Sequence, residues 1–152
     1  MKKRNDFKLI TTNRRARFDY EIFDEYIAGI VLYGSEIKSI RLGHVSINSA
    51  FIKIENEEAF IYGMQITPYK YETIRKLDEF RKRKLLLQKS EIRKLKNISE
   101  KKGYTIIPLE LFLKNGWAKL KIAVAKGRKH FNKKEYIKER DIKRETKKEL
   151  GY

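Results

Sequence analysis

Leu109-Glu110-Leu111-Phe112-Leu113-Lys114-Asn115-Gly116-Trp117-Ala118-Lys119-Leu120-Lys121-Ile122-Ala123-Val124 is the stretch that decides the fold. Asn115-Gly116 separates two strand-like runs. Both central residues of a type I′ turn need positive φ, which Asn and Gly tolerate best, so the run predicts a β-hairpin. Lys119 and Lys121 alternate with Leu120, Ile122 and Val124, which gives the second strand one polar and one apolar face.

Outward from that hairpin, the same period of two recurs. Arg17-Phe18-Asp19-Tyr20-Glu21-Ile22-Phe23 alternates like a half-buried strand, and Tyr26 to Tyr33 reads as a second strand ending at Gly34. Ser35 is a candidate cap for a short helix with Ile37 and Ile40 on one face and Gly43 as its stop. Ala50–Ile54 and Ala59–Ile66 form two more strands across a loop at 55–58. Residues 69–83 carry many charges without periodicity and read as a loop. Ile92, Leu95 and Ile98 share one face of a helix over 90–102, which Gly103 ends. Leu85-Leu86-Leu87 precedes it as a helical turn or a buried strand end. Tandem strands joined by hairpins, with a few short helices, imply a mostly β protein: a small oligonucleotide-binding-type antiparallel barrel.

The chain has 152 residues, 41% of them hydrophobic, which suits one domain with one core. Lys and Arg number 37 against 20 Asp and Glu, a formal charge of +17 that exceeds what solubility asks of a domain this size. The charge is segregated. Residues 1–17 carry +6, 70–102 carry +8 and 126–152 carry +6, while the strand-rich remainder is net −3. Concentrating like charge away from the core destabilises the free protein, and a polyanion relieves that repulsion. The expected partner is therefore nucleic acid.

The absence of cysteine excludes disulfide frameworks and thiolate zinc sites. No apolar run is long enough for a membrane span, and Met1-Lys2-Lys3-Arg4-Asn5-Asp6-Phe7 has no apolar region following it, so the expected location is the cytoplasm, with no membrane partner. His44 and His130 belong to no metal-spacing pattern, and no nucleotide loop, nucleophile elbow or zinc-protease motif occurs, so neither metal nor cofactor is expected. The enzyme alternative is a metal-dependent nuclease built on Asp19, Glu21 or Glu36.

Six blocks in order carry a family resemblance. Asn13-Arg14-Arg15-Ala16-Arg17-Phe18-Asp19-Tyr20 opens it, followed by Ala28-Gly29-Ile30-Val31-Leu32 with Gly34-Ser35-Glu36-Ile37-Lys38-Ser39-Ile40-Arg41-Leu42-Gly43. Then come Arg81-Lys82-Arg83-Lys84-Leu85-Leu86-Leu87, Lys114-Asn115-Gly116-Trp117, Ala125-Lys126-Gly127-Arg128-Lys129 and Ile137-Lys138-Glu139-Arg140-Asp141. The chain resembles the small protein B (SmpB) family, the SsrA (tmRNA)-binding proteins of trans-translation. The resemblance implies a barrel that grips the tRNA-like domain of tmRNA. It also implies a basic C-terminal tail that enters the decoding centre and mRNA channel of a stalled ribosome, with no catalysis.

Three segments follow: a flexible arm over 1–12, the tmRNA-binding barrel over 13–130, and a tail over 131–152. The tail is disordered alone and helical on the ribosome, and residues 136–150 as a helix would span roughly 22 Å. The RNA-binding residues are expected to be Asn13, Arg14, Arg15, Arg17, Glu36, Lys38, Arg41, Arg81, Arg83, Lys84, Leu86, Gln88, Gly127, Arg128 and Lys129. Arg and Lys would meet phosphates; Leu86 has core packing as its competing role, and Glu36 has an ion pair to Lys38 or Arg41. The ribosome-binding residues of the tail are expected to be Phe131, Asn132, Lys133, Lys134, Lys138, Arg140, Lys143 and Arg144.

The sequence departs from the family at Ile27, where an acidic RNA contact is usual, and at Gln88, Phe131, Asn132 and Ile142. The protein is expected to act as a monomer. The other binding reading is a ribosomal protein or translation factor on different structured RNA.

Overall fold

A computed structural model describes residues 6–71 and 77–128. The strands are β1 (Phe7–Thr12), β2 (Tyr20–Ile30), β3 (Val45–Ser46), β4 (Phe51–Glu55), β5 (Glu58–Tyr62), β6 (Gln65–Ile66), β7 (Arg83–Leu86), β8 (Tyr104–Lys114) and β9 (Trp117–Gly127). The helices are α1 (Ala16–Asp19), α2 (Gly34–Arg41) and α3 (Lys89–Ser99). Strands β8, β4, β5, β7, β2 and β9 pair in that order, and β9 pairs back with β8, so the antiparallel sheet closes on itself. This is the expected mostly-β barrel with short helices. The tail lies outside the described residues.

The long hairpin forms as its sequence demands. Asn115 (φ 52°) and Gly116 (φ 84°) occupy the turn, and Lys114 pairs with Trp117. The β4–β5 hairpin turns tightly at Asn56 and Glu57, which also hold positive φ (49° and 61°). Ile52, Ile61, Leu85, Ile106, Leu111, Leu120, Ile122 and Val124 fill the barrel. Helix α3 packs on β4, β8 and β9 and sends Leu95 into the same core.

Three expectations are corrected. Residues 7–12 are not a flexible arm: β1 pairs with β8 from Phe7↔Lys114 to Thr12↔Glu110. Strand β4 reaches that edge of β8 only at Ile52↔Ile106, and β1 satisfies the backbone groups left beyond it. Second, the two strands expected over 17–33 are one strand, β2, with residues 16–19 wound into α1. A bulge between Ile22 and Glu25, facing Ala125 and Ala123 of β9, carries one extra residue and bends the strand. Third, α2 starts two residues earlier than expected. Tyr33 is its cap, and its backbone N–H donates to Glu36 Oε1 at 3.0 Å. Of the two forms expected for the leucine triplet, the structure has the strand end: Leu85 is buried in the core while its neighbour Leu86 is 54% exposed.

Candidate nucleic-acid interface

Two groups of the expected RNA-binding residues assemble, one at each end of β2. The first is built on Ala16. This residue is 2% exposed and packs on the outer surface of β8 and β9 with Ile107, Leu109, Ala123 and Ala125. Its burial presses α1 onto the sheet and leaves Arg14, Arg15 and Arg17 exposed.

Asn13 fixes the approach to that turn. Its backbone N–H donates to Leu109 O at 2.8 Å and its side-chain amide to Pro108 O at 3.1 Å. From the other side, Arg128 donates its backbone N–H to Asp19 O (2.9 Å) and its Nε to Arg17 O (3.2 Å). Gly127 is exposed, and a Cβ built on it would meet nothing within 4 Å. Asn13, Arg14, Arg15, Arg17, Gly127 and Arg128, far apart in sequence, thus share one corner. A groove of about 270 Å³ there is lined by Thr12, Asn13, Arg14, Ala16, Arg17, Leu109 and Glu110.

The second group gathers where β2 ends. Gly29 pairs with Leu86, and Val31 donates its backbone N–H to Lys84 O at 2.9 Å, so Leu86 and Lys84 border the outer face of Ile27, Gly29 and Val31. Ile27 is 49% exposed, so this chain presents an apolar contact where the family commonly has an acid. A Cβ on Gly29 would come 3.3 Å from Leu86 Cβ; the glycine lets β7 lie close and the leucine project. Gln88 is exposed and precedes α3. Lys38 and Arg41 are exposed on α2, with Lys38 Nζ 5.2 Å from the Tyr69 ring centre.

Glu36 and Arg83 do not belong to the contact surface. Arg83 is fully buried; its Nε donates to Glu36 Oε2 (2.8 Å), and its terminal nitrogens donate to Met64 O (2.7 Å) and Glu79 O (3.0 Å). A phosphate cannot reach it. Glu36, 4% exposed, pairs with Arg83 and with Arg81 Nη2 at 2.6 Å, and not with Lys38 or Arg41. Burial alone would raise the Glu36 pKa. Hydrogen bonds from Arg81, the Tyr33 backbone and Arg83, with the charge of Arg83, outweigh it and hold the carboxyl below its ordinary value. Burial lowers the Arg83 value, with Glu36 opposing. Arg81 is the outward member of this network: it stacks 4.7 Å over the Tyr33 ring, which is itself exposed.

The acids of the nuclease alternative do not converge. Asp19 stands near Arg15 (3.7 Å) at one end of β2, Glu21 pairs in register with Lys126, and Glu36 is buried between two arginines at the other end. Among the described residues no group of three or more His, Asp or Glu is placed to hold a metal, and no helix is long and apolar enough to cross a membrane. Lys129 and the expected tail residues, from Phe131 to Arg144, lie outside the described residues. Sequence reasoning passed over the solvent side of α3, where Lys89, Arg93 and Lys96 repeat at helical spacing; that spacing was the available signal.

A closed small barrel with cationic side chains displayed from its corners, and with acids used to brace arginines, defines a nucleic-acid-binding protein of the oligonucleotide-binding type. The chain belongs to the SmpB protein family, whose model matches residues 10–152. It is 50% identical over 149 residues to the SsrA-binding protein of Elusimicrobium minutum, covering 98% of this chain and 95% of the relative. It is 52% identical over 141 residues to that of Persephonella marina, covering 93% of each. A solved chain described as "tmRNA-SmpB: a journey to the center of the bacterial ribosome" superposes with a TM-score of 0.67 at 42% identity, covering 79% of this chain and 85% of that one.

Proposed function

We propose that this chain binds the tRNA-like domain of tmRNA and delivers it to stalled ribosomes in trans-translation, as a cytoplasmic RNA-binding protein rather than an enzyme. The observation that carries the reading is near-full-length identity of about half to SsrA-binding proteins, together with two cationic corners built on the residues that bear the family motifs. The corner around Ala16 and the face around Leu86 lie at opposite ends of β2, a separation of roughly 30 Å for an eleven-residue strand. Charges at that distance suit a folded RNA with its own contours, read by shape and phosphate position more than by base edges.

Asn13, Arg14, Arg15, Arg17 and Arg128 form one grip. Lys38, Arg41, Arg81, Lys84, Leu86 and Gln88 form the other, braced by Glu36 and Arg83. The segment 131–152 is the ribosome-binding element, with Phe131, Lys133, Lys134, Lys138 and Arg140 among its contacts.

Deleting 131–152 separates the two tasks. Binding of the tRNA-like RNA by gel shift is expected to stay close to that of the full chain, and peptide tagging on stalled ribosomes is expected to be lost. Equal loss of both refutes the division. Failure of the full chain to prefer tRNA-shaped RNA over unstructured RNA of equal length refutes the function.

A further inference from the structure

Helix α3 keeps Leu95 and Ile98 against the barrel and turns Lys89, Arg93 and Lys96 toward a groove of about 510 Å³, which Glu57, Ile92 and Asn97 complete. The three cations are exposed, and none has an ion-pair partner among the described residues. Lys84, by contrast, stands 3.4 Å from Glu58, and Lys82 the same distance from Glu55. Spacings of four and three residues put the cations on one face of the helix over about 10 Å, enough to meet more than one phosphate of a single strand. Lys89, which lines the groove, directly follows Gln88 of the Leu86 group in the chain.

We infer that the α3 groove is a further RNA-backbone track, in which Lys89, Arg93 and Lys96 hold consecutive phosphodiesters and Asn97 donates its amide. The inference rests on the RNA-binding reading above and extends it to a surface the family motifs do not include. Glu57, the one acid lining the groove, opposes an entering phosphate. RNA is favoured over an acidic peptide because α3 follows directly in the chain on Gln88, which the reading above assigns to RNA, and its three cations repeat along one helix face. The RNA is either the tRNA-like domain itself or ribosomal RNA met on delivery; phosphodiester recognition is common to both.

The test compares the full chain with its Lys89→Gln/Arg93→Gln/Lys96→Gln variant, against tRNA-like RNA in one arm and purified small ribosomal subunits in the other, across a salt series. Gln keeps helix propensity while removing charge. In the arm that uses the groove, affinity near 0.15 M salt is expected to fall roughly tenfold to hundredfold, and the log–log salt slope to shrink by about 2. Lys8→Gln/Lys53→Gln/Lys114→Gln removes the same charge from surfaces outside the groove and is expected to have a much smaller effect. Glu57→Gly is expected to tighten binding in the same arm by a few fold.

Unchanged affinity and slope in both arms, or equal losses in the two triple variants, overturns the track. Should the α3 triple variant fail to fold by circular dichroism, the single Arg93→Gln change and Glu57→Gly decide on the same readouts. The readings fail separately. A full chain with no preference for tRNA-shaped RNA sinks the function, whereas the difference in salt slope on any RNA still judges the groove.

Discussion

Replacing Glu36 by Gln tests the claim that a family-motif acid works inside the protein rather than on the RNA. Arg83 is fully buried and Glu36 nearly so, at 2.8 Å; Arg81 is 28% exposed and closes the network from outside at 2.6 Å. Removing one partner of a buried pair costs about 3–5 kcal/mol because the other charge is left uncompensated. Arg83 keeps its bonds to Met64 O and Glu79 O, and Gln can still accept one bond, so the low end applies, about 3 kcal/mol. The partly exposed Arg81 contact adds little, up to about 1 kcal/mol. For a domain between one and two hundred residues, this lowers the melting temperature by roughly 10 °C.

The pH dependence has a definite sign. The folded Glu36 pKa lies below the ordinary carboxyl value of 4.5, so its stabilisation is complete above that value and is lost as pH falls through the lower folded one. Urea unfolding followed by circular dichroism should therefore show a constant gap between parent and Glu36→Gln at neutral pH that narrows in acid. A gap under about 1 kcal/mol at pH 7, or one that widens in acid, refutes the bracing role. The RNA affinity of the folded variant should fall only through misplacement of Arg81, severalfold rather than by orders of magnitude.

Ala16→Leu should overfill the site on β8 and β9, destabilise by about 1–3 kcal/mol and weaken RNA binding, because α1 lifts and its arginines lose their positions. Arg17→Gln with Arg128→Gln should change stability by less than about 1 kcal/mol, since the Arg17–Glu25 pair (3.3 Å) is exposed. The same double variant should reduce the RNA salt slope by about 2. Gly63 holds φ +75°, and a Cβ there would come 2.8 Å from Ser49 O; Gly63→Ala should cost about 2 kcal/mol or more by chemical denaturation, and a loss under 0.5 kcal/mol would contradict the geometry.

The hairpin at Asn115-Gly116, the apolar stripe of α3 and the segregation of charge were legible in the chain because each is set by neighbours a few residues apart: turn dihedrals, helical period and local composition. The β1 strand was not. No residue of β1 is fully buried, with Phe7 and Leu9 largely exposed, and what holds the strand is the unfilled edge of β8, about a hundred residues away. Nor could composition distinguish Arg83 from Arg81. Both stand in the same basic block two residues apart, but Arg83 opens β7 and is fully buried, whereas Arg81 lies before the strand and stays 28% exposed.

The family motifs marked candidate residues, while three-dimensional closure divided them into those that face solvent and those that brace them. Ring closure brings Arg128 to Arg17 and Glu36 to Arg83 across many residues of chain. Whether a charge is spent on a phosphate or on a buried partner depends on which side of the closed sheet it falls, and that is settled only when distant strands meet.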